Sequence, residues 1–211
     1  MKTNVVIFGP PFSGKGTQAT TLVRQHGFCQ VCSGDILREH VRRHTELGMK
    51  AKKYMDDGKL VPDDLVIEAI TWTLKSDGEV DTVFDGFPRN IRQAQLLDMS
   101  IPISLAIVLE VSEKELLHRA RTRISCPKCG RPYGKGQEPK REGQCDDCGV
   151  NLIRRDDDSQ DEVNRKRIRT YQEETAPLIG YYQQGGRLHR IDGARNSDQV
   201  LAEILEILGT E

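Results

Sequence analysis

Residues 9 to 17 read GPPFSGKGT and follow directly on the apolar run Val5, Val6, Ile7 and Phe8. Gly9, Gly14 and Lys15 therefore stand at the G-x-x-x-x-G-K spacing of a phosphate-binding loop, between a strand and a helix. The glycines let successive backbone N–H groups turn inward around an anion, the helix start adds its positive dipole end, and Lys15 supplies a mobile cation. The natural guest of such a loop is a triphosphate. Thr17 falls two places after the lysine because Gly16 intervenes, which displaces the usual hydroxyl ligand for Mg²⁺.

Further apolar strand-like runs at 28–31, 82–84, 103–111 and 188–191 alternate with helical patterns near 15–26, 34–57, 63–75, 90–98, 112–123, 161–184 and 197–208. Strands separated by helices predict a parallel sheet covered on both faces. Gly27 ends the first helix, Pro62 opens the helix carrying Leu65, Val66 and Ile70, and Ser112 is a predicted N-cap before Glu115. A chain of 211 residues holds one such core plus a small insert. Lys and Arg total 31 against 32 for Asp and Glu, so no overall field draws the protein to nucleic acid or membrane, and phosphate must be held by a local cleft. Without a leader-like start or an apolar span, the chain reads as cytoplasmic.

One segment departs from this pattern. From Cys126 to Val150 large apolar residues are scarce, but Cys126, Cys129, Cys145 and Cys148 form two C-x2-C pairs with fifteen residues between them. That is the spacing of a closed tetrahedral site, in which a structural Zn²⁺, or Fe or Co in the same sulfur cage, supplies the folding free energy a small core lacks. Four protein ligands leave no open position for catalysis. Cys29 and Cys32 make a further C-x2-C without a second pair, in an apolar strand, and read as core cysteines. Trp72 also falls at a core-like helical position. The insert's Lys128, Arg131, Lys135, Lys140 and Arg141, with Tyr133 for stacking, offer a rival reading as a nucleic-acid-binding ribbon. That reading leaves the phosphate loop unexplained.

Asp85 closes the TVFD strand, where a carboxylate can hold Mg²⁺ through its waters. Arg38, Arg89, Arg119, Arg123, Arg154, Arg155 and Arg167 are candidate phosphate clamps, because phosphoryl transfer requires planar cations around a spread charge. Together with CSGDILR at 32–38, GKLVPDDLV at 58–66, DGFPR at 85–89 with Gln93, RRDDD at 154–158 and TAPLIGYY at 175–182, these features make the chain resemble a bacterial adenylate kinase of the long, metal-lidded kind.

The resemblance implies the P-loop nucleoside monophosphate kinase fold, α/β with a central parallel five-stranded sheet. It divides the chain into a core (1–31, 62–123 and 159–211), a monophosphate-binding segment (32–61) and a zinc-type lid (124–158). It implies transfer of a phosphoryl group from MgATP to AMP by a monomer. Gly14, Lys15, Gly16, Thr17, Arg119 and Arg123 fall to the ATP side. Ser33, Arg38, Val61, Val66, Gly86, Arg89, Gln93, Arg155 and Arg167 fall to the AMP side. Lys15, Asp85, Arg89, Arg123, Arg155 and Arg167 carry the chemistry, Asp35 joins Asp85 in organising Mg²⁺, and Asp156, Asp157 and Asp158 pair with lid arginines or face solvent. Against the family pattern, Ser33 replaces a threonine, Thr122 replaces the first arginine of a pair, and the stretch from Arg155 to Arg167 is one residue longer. That extra residue leaves Arg154 and Arg155 competing for one role, for which Arg155 is chosen. UMP or CMP as acceptor is the neighbouring alternative.

Overall fold

A computed structural model of the chain describes residues 3–74, 80–134, 136–155, 158 and 160–209. Its strands are β1 (Asn4–Phe8), β2 (Cys29–Cys32), β3 (Thr82–Asp85), β4 (Leu105–Glu110), β5 (Ile124–Ser125), β6 (Pro132–Tyr133) and β7 (Leu188–Asp192). Five of them form one parallel sheet in the order β2-β3-β1-β4-β7, and β5 and β6 pair as a separate antiparallel ribbon. The helices are α1 (Lys15–His26), α2 (Ser33–Arg42), α3 (Glu46–Asp56), α4 (Asp63–Leu74), α5 (Ile91–Ser100), α6 (Glu113–Thr122), α7 (Asp161–Thr170), α8 (Leu178–Gln184) and α9 (Ser197–Leu208).

Strand residues point alternately to the two faces, so a sheet covered on both sides needs apolar residues at every position. Val5, Ile7, Val83, Ile107 and Leu109 pack with α1 and α9 on one face. Val6, Phe8, Phe84, Ala106 and Val108 pack with α4, α5 and α8 on the other. The TAPLIGYY stretch contributes to this second face through Leu178 and Tyr182, which are wholly buried. Ser112 caps α6 by accepting from Glu115 N at 3.4 Å, and Gly27 ends α1 at φ +72°.

Three expectations from sequence are corrected. The helix foreseen over 34–57 is two helices, α2 and α3, turned at His44 and restarted by Thr45, whose Oγ1 accepts from Gly48 N at 3.1 Å. The turn brings α3 so close to α2 that a Cβ at Gly48 would stand 2.2 Å from the carbonyl of His40. The helix foreseen over 161–184 is broken into α7, a π-helical turn at Tyr171–Thr175, and α8 beginning after Pro177. Cys29 and Cys32 are half-buried rather than core residues, because β2 is an edge strand. The side chain of Trp72, together with Lys135, Asp156 and Asp157, lies outside the described residues.

Candidate active site

Parallel sheets gather their loops at the carboxyl ends of the strands, and this sheet does so at β1 and β3. The register pairs Ile7 with Asp85 and Asp85 with Cys32, so the Asp85 carboxylate emerges beside the phosphate loop. A Cβ at Gly16 would lie 3.2 Å from Asp85 Oδ2, and any larger residue there would crowd the space the loop and carboxylate share. Asp85 accepts from Gln30 Nε2 at 3.3 Å. Burial raises its pKa, against the pull of Lys15. An acidic oxygen site set against the loop fits the waters of a hard divalent cation.

Lys15 donates to Pro10 O at 3.3 Å. Desolvation, opposed by Asp85 and reinforced by Arg89, Arg123 and Arg167, lowers its pKa to about 8. Two clefts meet at this lysine. One is lined by Gly14, Lys15, Gly16, Thr17, Arg119 and Arg123, all six residues expected on the ATP side. The other is lined by Lys15, Ser33, Arg38, Val61, Val66, Gly86, Arg89, Gln93 and Arg167. Of the expected AMP set, only Arg155 lines neither cleft.

Within the second cleft the polar groups hold one another. Ser33 Oγ donates to Gly86 O at 2.6 Å, and Arg89 Nε donates to the same carbonyl at 2.7 Å. Gln93 is buried with both ends of its amide engaged: Oε1 accepts from Arg89 N at 2.7 Å and Nε2 donates to Asp63 Oδ1 at 2.6 Å. Arg38 pairs with Asp35. Desolvation opposes ionisation of Asp35, and Arg38 outweighs it, so the carboxyl titrates below its ordinary range. In the first cleft Arg119 donates to Glu115 Oε1 at 3.0 Å and to Ser13 O at 3.3 Å, which ties α6 to the loop.

The arginines converge on Asp158. Its carboxylate is fully buried and accepts two bonds from Arg123, at 2.7 and 2.6 Å, and one from Arg167 at 2.7 Å. Arg155 Nε stands 4.0 Å from the same group, whereas Arg154 Nη2 donates to the backbone carbonyl of Asp158 at 2.9 Å. Of that adjacent pair, Arg155 is thus the one on the carboxylate. Burial, and then the charge of Arg155, pushes Arg123 down to about 10 despite Asp158. Burial and Arg167 likewise lower Arg89. A desolvated cluster with more cations than anions attracts a polyphosphate.

Sequence reading passed over one residue of this cluster. Phe12, inside the loop, sets its ring centroid 4.6 Å from Arg123 Cζ and 5.3 Å from Arg167 Cζ. The available signal was a large aromatic residue between the glycines of a phosphate loop.

The four cysteines of the insert gather as their spacing predicts, with all Sγ atoms within 4.8 Å of one another. A tetrahedron of metal–sulfur bonds of about 2.3 Å has edges of about 3.8 Å, and Cys129 Sγ and Cys145 Sγ are 3.7 Å apart. Each pair is folded by its own turn, Gly130 N donating to Cys126 O at 3.0 Å and Gly149 N to Cys145 O at 2.9 Å. Tyr133 is 2 % exposed, donates to Cys145 Sγ and is covered by Arg131, so it is no platform for a base. Arg131 itself pairs with Asp147 at 2.8 Å and Asp146 at 3.5 Å. The rival nucleic-acid reading loses its stacking group to the module's own core.

Fold and site together define a P-loop nucleoside monophosphate kinase, in which two clefts share one lysine. The Adenylate kinase family model matches residues 7–187. The chain is 42% identical over 98% of its length to the whole of an adenylate kinase from Syntrophobacter fumaroxidans. It is 43% identical over 97% of its length to one from Methanothrix thermoacetophila, covering 98% of that protein, and 40% identical over 99% to one from Thermotoga neapolitana, again covering 98%. The chain belongs to the adenylate kinase family.

Proposed function

We infer that the chain catalyses reversible transfer of the γ-phosphoryl of MgATP to AMP, giving two ADP. The observation that carries this reading is the pair of clefts meeting at Lys15, each with its own arginines. Two anionic nucleotides facing one another across a cation is what direct transfer between phosphates requires. The acceptor is a phosphate oxygen that is already ionised, so the protein need not supply a base. Asp85 would hold, through water, the Mg²⁺ of the MgATP substrate, which would offset phosphate charge during transfer.

The protein's own residues do the remaining work. The loop amides and Lys15 hold the donor phosphates, with Thr17 and Arg119 on the same nucleotide. Arg38 and Arg89 hold the monophosphate, with Ser33, Gly86, Val61, Val66 and Gln93 around the base. Arg123, Arg155 and Arg167 leave Asp158 in part to take the charge that spreads over the transferring group. The core is 1–31, 62–123 and 159–211, while the segments 32–61 and 124–158 close over AMP and ATP to exclude water. Four thiolates favour structural Zn²⁺, which keeps the lid rigid as it moves. The chain acts as a cytoplasmic monomer on free nucleotides.

The test is ADP formation from MgATP with AMP, UMP, CMP or GMP as acceptor. Turnover with AMP far above the other three is expected. Equal turnover with UMP or CMP would reassign the acceptor, and no transfer to any of them would overturn the reading.

A further inference from the structure

Phe12 has φ +70°, in the left-handed region where a residue with a bulky side chain seldom sits. Backbone held there persists when the surroundings over-determine it, and such residues concentrate at functional sites. The ring is 6 % exposed and packs with Leu116, Ala120 and Ile168, so α6 and α7 fix its location. What it carries on its other contacts is charge: the guanidiniums of Arg123 and Arg167, at 4.6 and 5.3 Å.

Those two arginines repel each other, and Asp158 gathers them by accepting from both. A carboxylate, however, occupies the in-plane N–H groups that an incoming phosphate must use. A ring contacts the guanidinium through its π-cloud and leaves those N–H groups free. The ring can therefore hold both guanidiniums unchanged as their hydrogen bonds pass from Asp158 to phosphate.

Resting on the kinase reading above, we propose that Phe12 is a positioning residue for phosphoryl transfer: its ring holds Arg123 and Arg167 by cation–π contact, with their N–H edges turned to the transferring group. A plain apolar plug between α6 and α7 would require only bulk. Incorporation of mono-, di- and trifluorophenylalanine at position 12 of the full chain separates the two roles, because fluorine drains the ring's negative face while nearly preserving its shape and burial. The expected result is a stepwise fall in kcat, reaching about tenfold at three fluorines, while the protein stays folded with a thermal midpoint lowered by at most about 5 °C. Phe12→Leu, which keeps apolar bulk without a π-face, falls to a similar kcat while remaining folded. A flat fluorine series, or full kcat in Phe12→Leu, overturns the proposal. If the unsubstituted protein transfers no phosphoryl group, the kinase reading fails instead, and the series is read on affinity for inorganic tripolyphosphate, where a flat response again overturns the ring's role.

Discussion

Replacing Asp158 by Asn removes one charge at nearly constant volume from a buried point where three arginines meet. The carboxylate is 0 % exposed, and its partners Arg123, Arg155 and Arg167 are 20 %, 20 % and 19 % exposed, so three cations lose the anion they share. Removing one partner of a buried pair costs about 3–5 kcal/mol, and the residual exposure of the arginines argues for about 3. At about 2–4 °C per kcal/mol for a protein of this size, the thermal midpoint should fall by about 6–12 °C. A polyphosphate supplies the missing negative charge, so saturating MgATP should recover most of that loss, more than it stabilises the unsubstituted protein. Thermal melts followed by circular dichroism, with and without nucleotide, give both quantities. A drop below about 2 °C, or an equal drop with and without nucleotide, would refute the claim that Asp158 is the internal counterion of the phosphate clamp.

Four further outcomes follow from the same structure. Because the Lys15 ammonium is lost as pH rises through about 8, the affinity for MgATP measured by equilibrium binding should decline across that pH, and the weaker binding of Lys15→Met should lack this step. The sign is opposite for stability of the free protein: from about 8 up to 10.5 the unfolded chain holds a proton the folded one has released, so the lysine's contribution to stability rises with pH, which urea titrations at several pH values will register. Chelation should loosen the segment around the four cysteines while the parallel sheet stays folded, since that segment's own core is little more than Cys126, Cys145 and Tyr133. Trypsin should then cut quickly at the exposed Lys128, Lys140 and Arg141, and cutting unaffected by chelation would contradict a structural metal. Gln93→Leu removes the acceptor of Arg89 N and leaves Asp63 Oδ1 with Asn90 alone of its two amide donors, and should raise KM for AMP by about tenfold without altering KM for ATP, as initial rates against each nucleotide will test.

What could be read from the sequence was whatever is encoded locally. The phosphate loop, each cysteine pair and each strand or helix pattern lie in a few adjacent residues, whereas the residues of the AMP-side cleft were reached through the resemblance to the adenylate kinase family. The break between α2 and α3 depends on Gly48 approaching the backbone of His40, a contact between two helices that periodicity does not report. The sheet order β2-β3-β1-β4-β7 is likewise invisible in five apolar runs. Tyr133 looked available for stacking because its burial comes from the gathered cysteines and Arg131, which are dispersed along the chain. Asp158 was one of three adjacent aspartates, and its full burial between Arg123 and Arg167 depends on residues distant along the chain. Phe12 escaped notice because an aromatic residue in a loop has no meaning until the arginines above it are known.

The central claim is that the γ-phosphoryl passes directly from one nucleotide to the other across Lys15. Its most direct test follows the label from γ-labelled MgATP incubated with AMP. The account predicts that the label appears in the β-position of newly formed ADP, with little inorganic phosphate, and that Lys15→Ala abolishes its movement. Release of the label mainly as inorganic phosphate, at a rate indifferent to AMP, would contradict it.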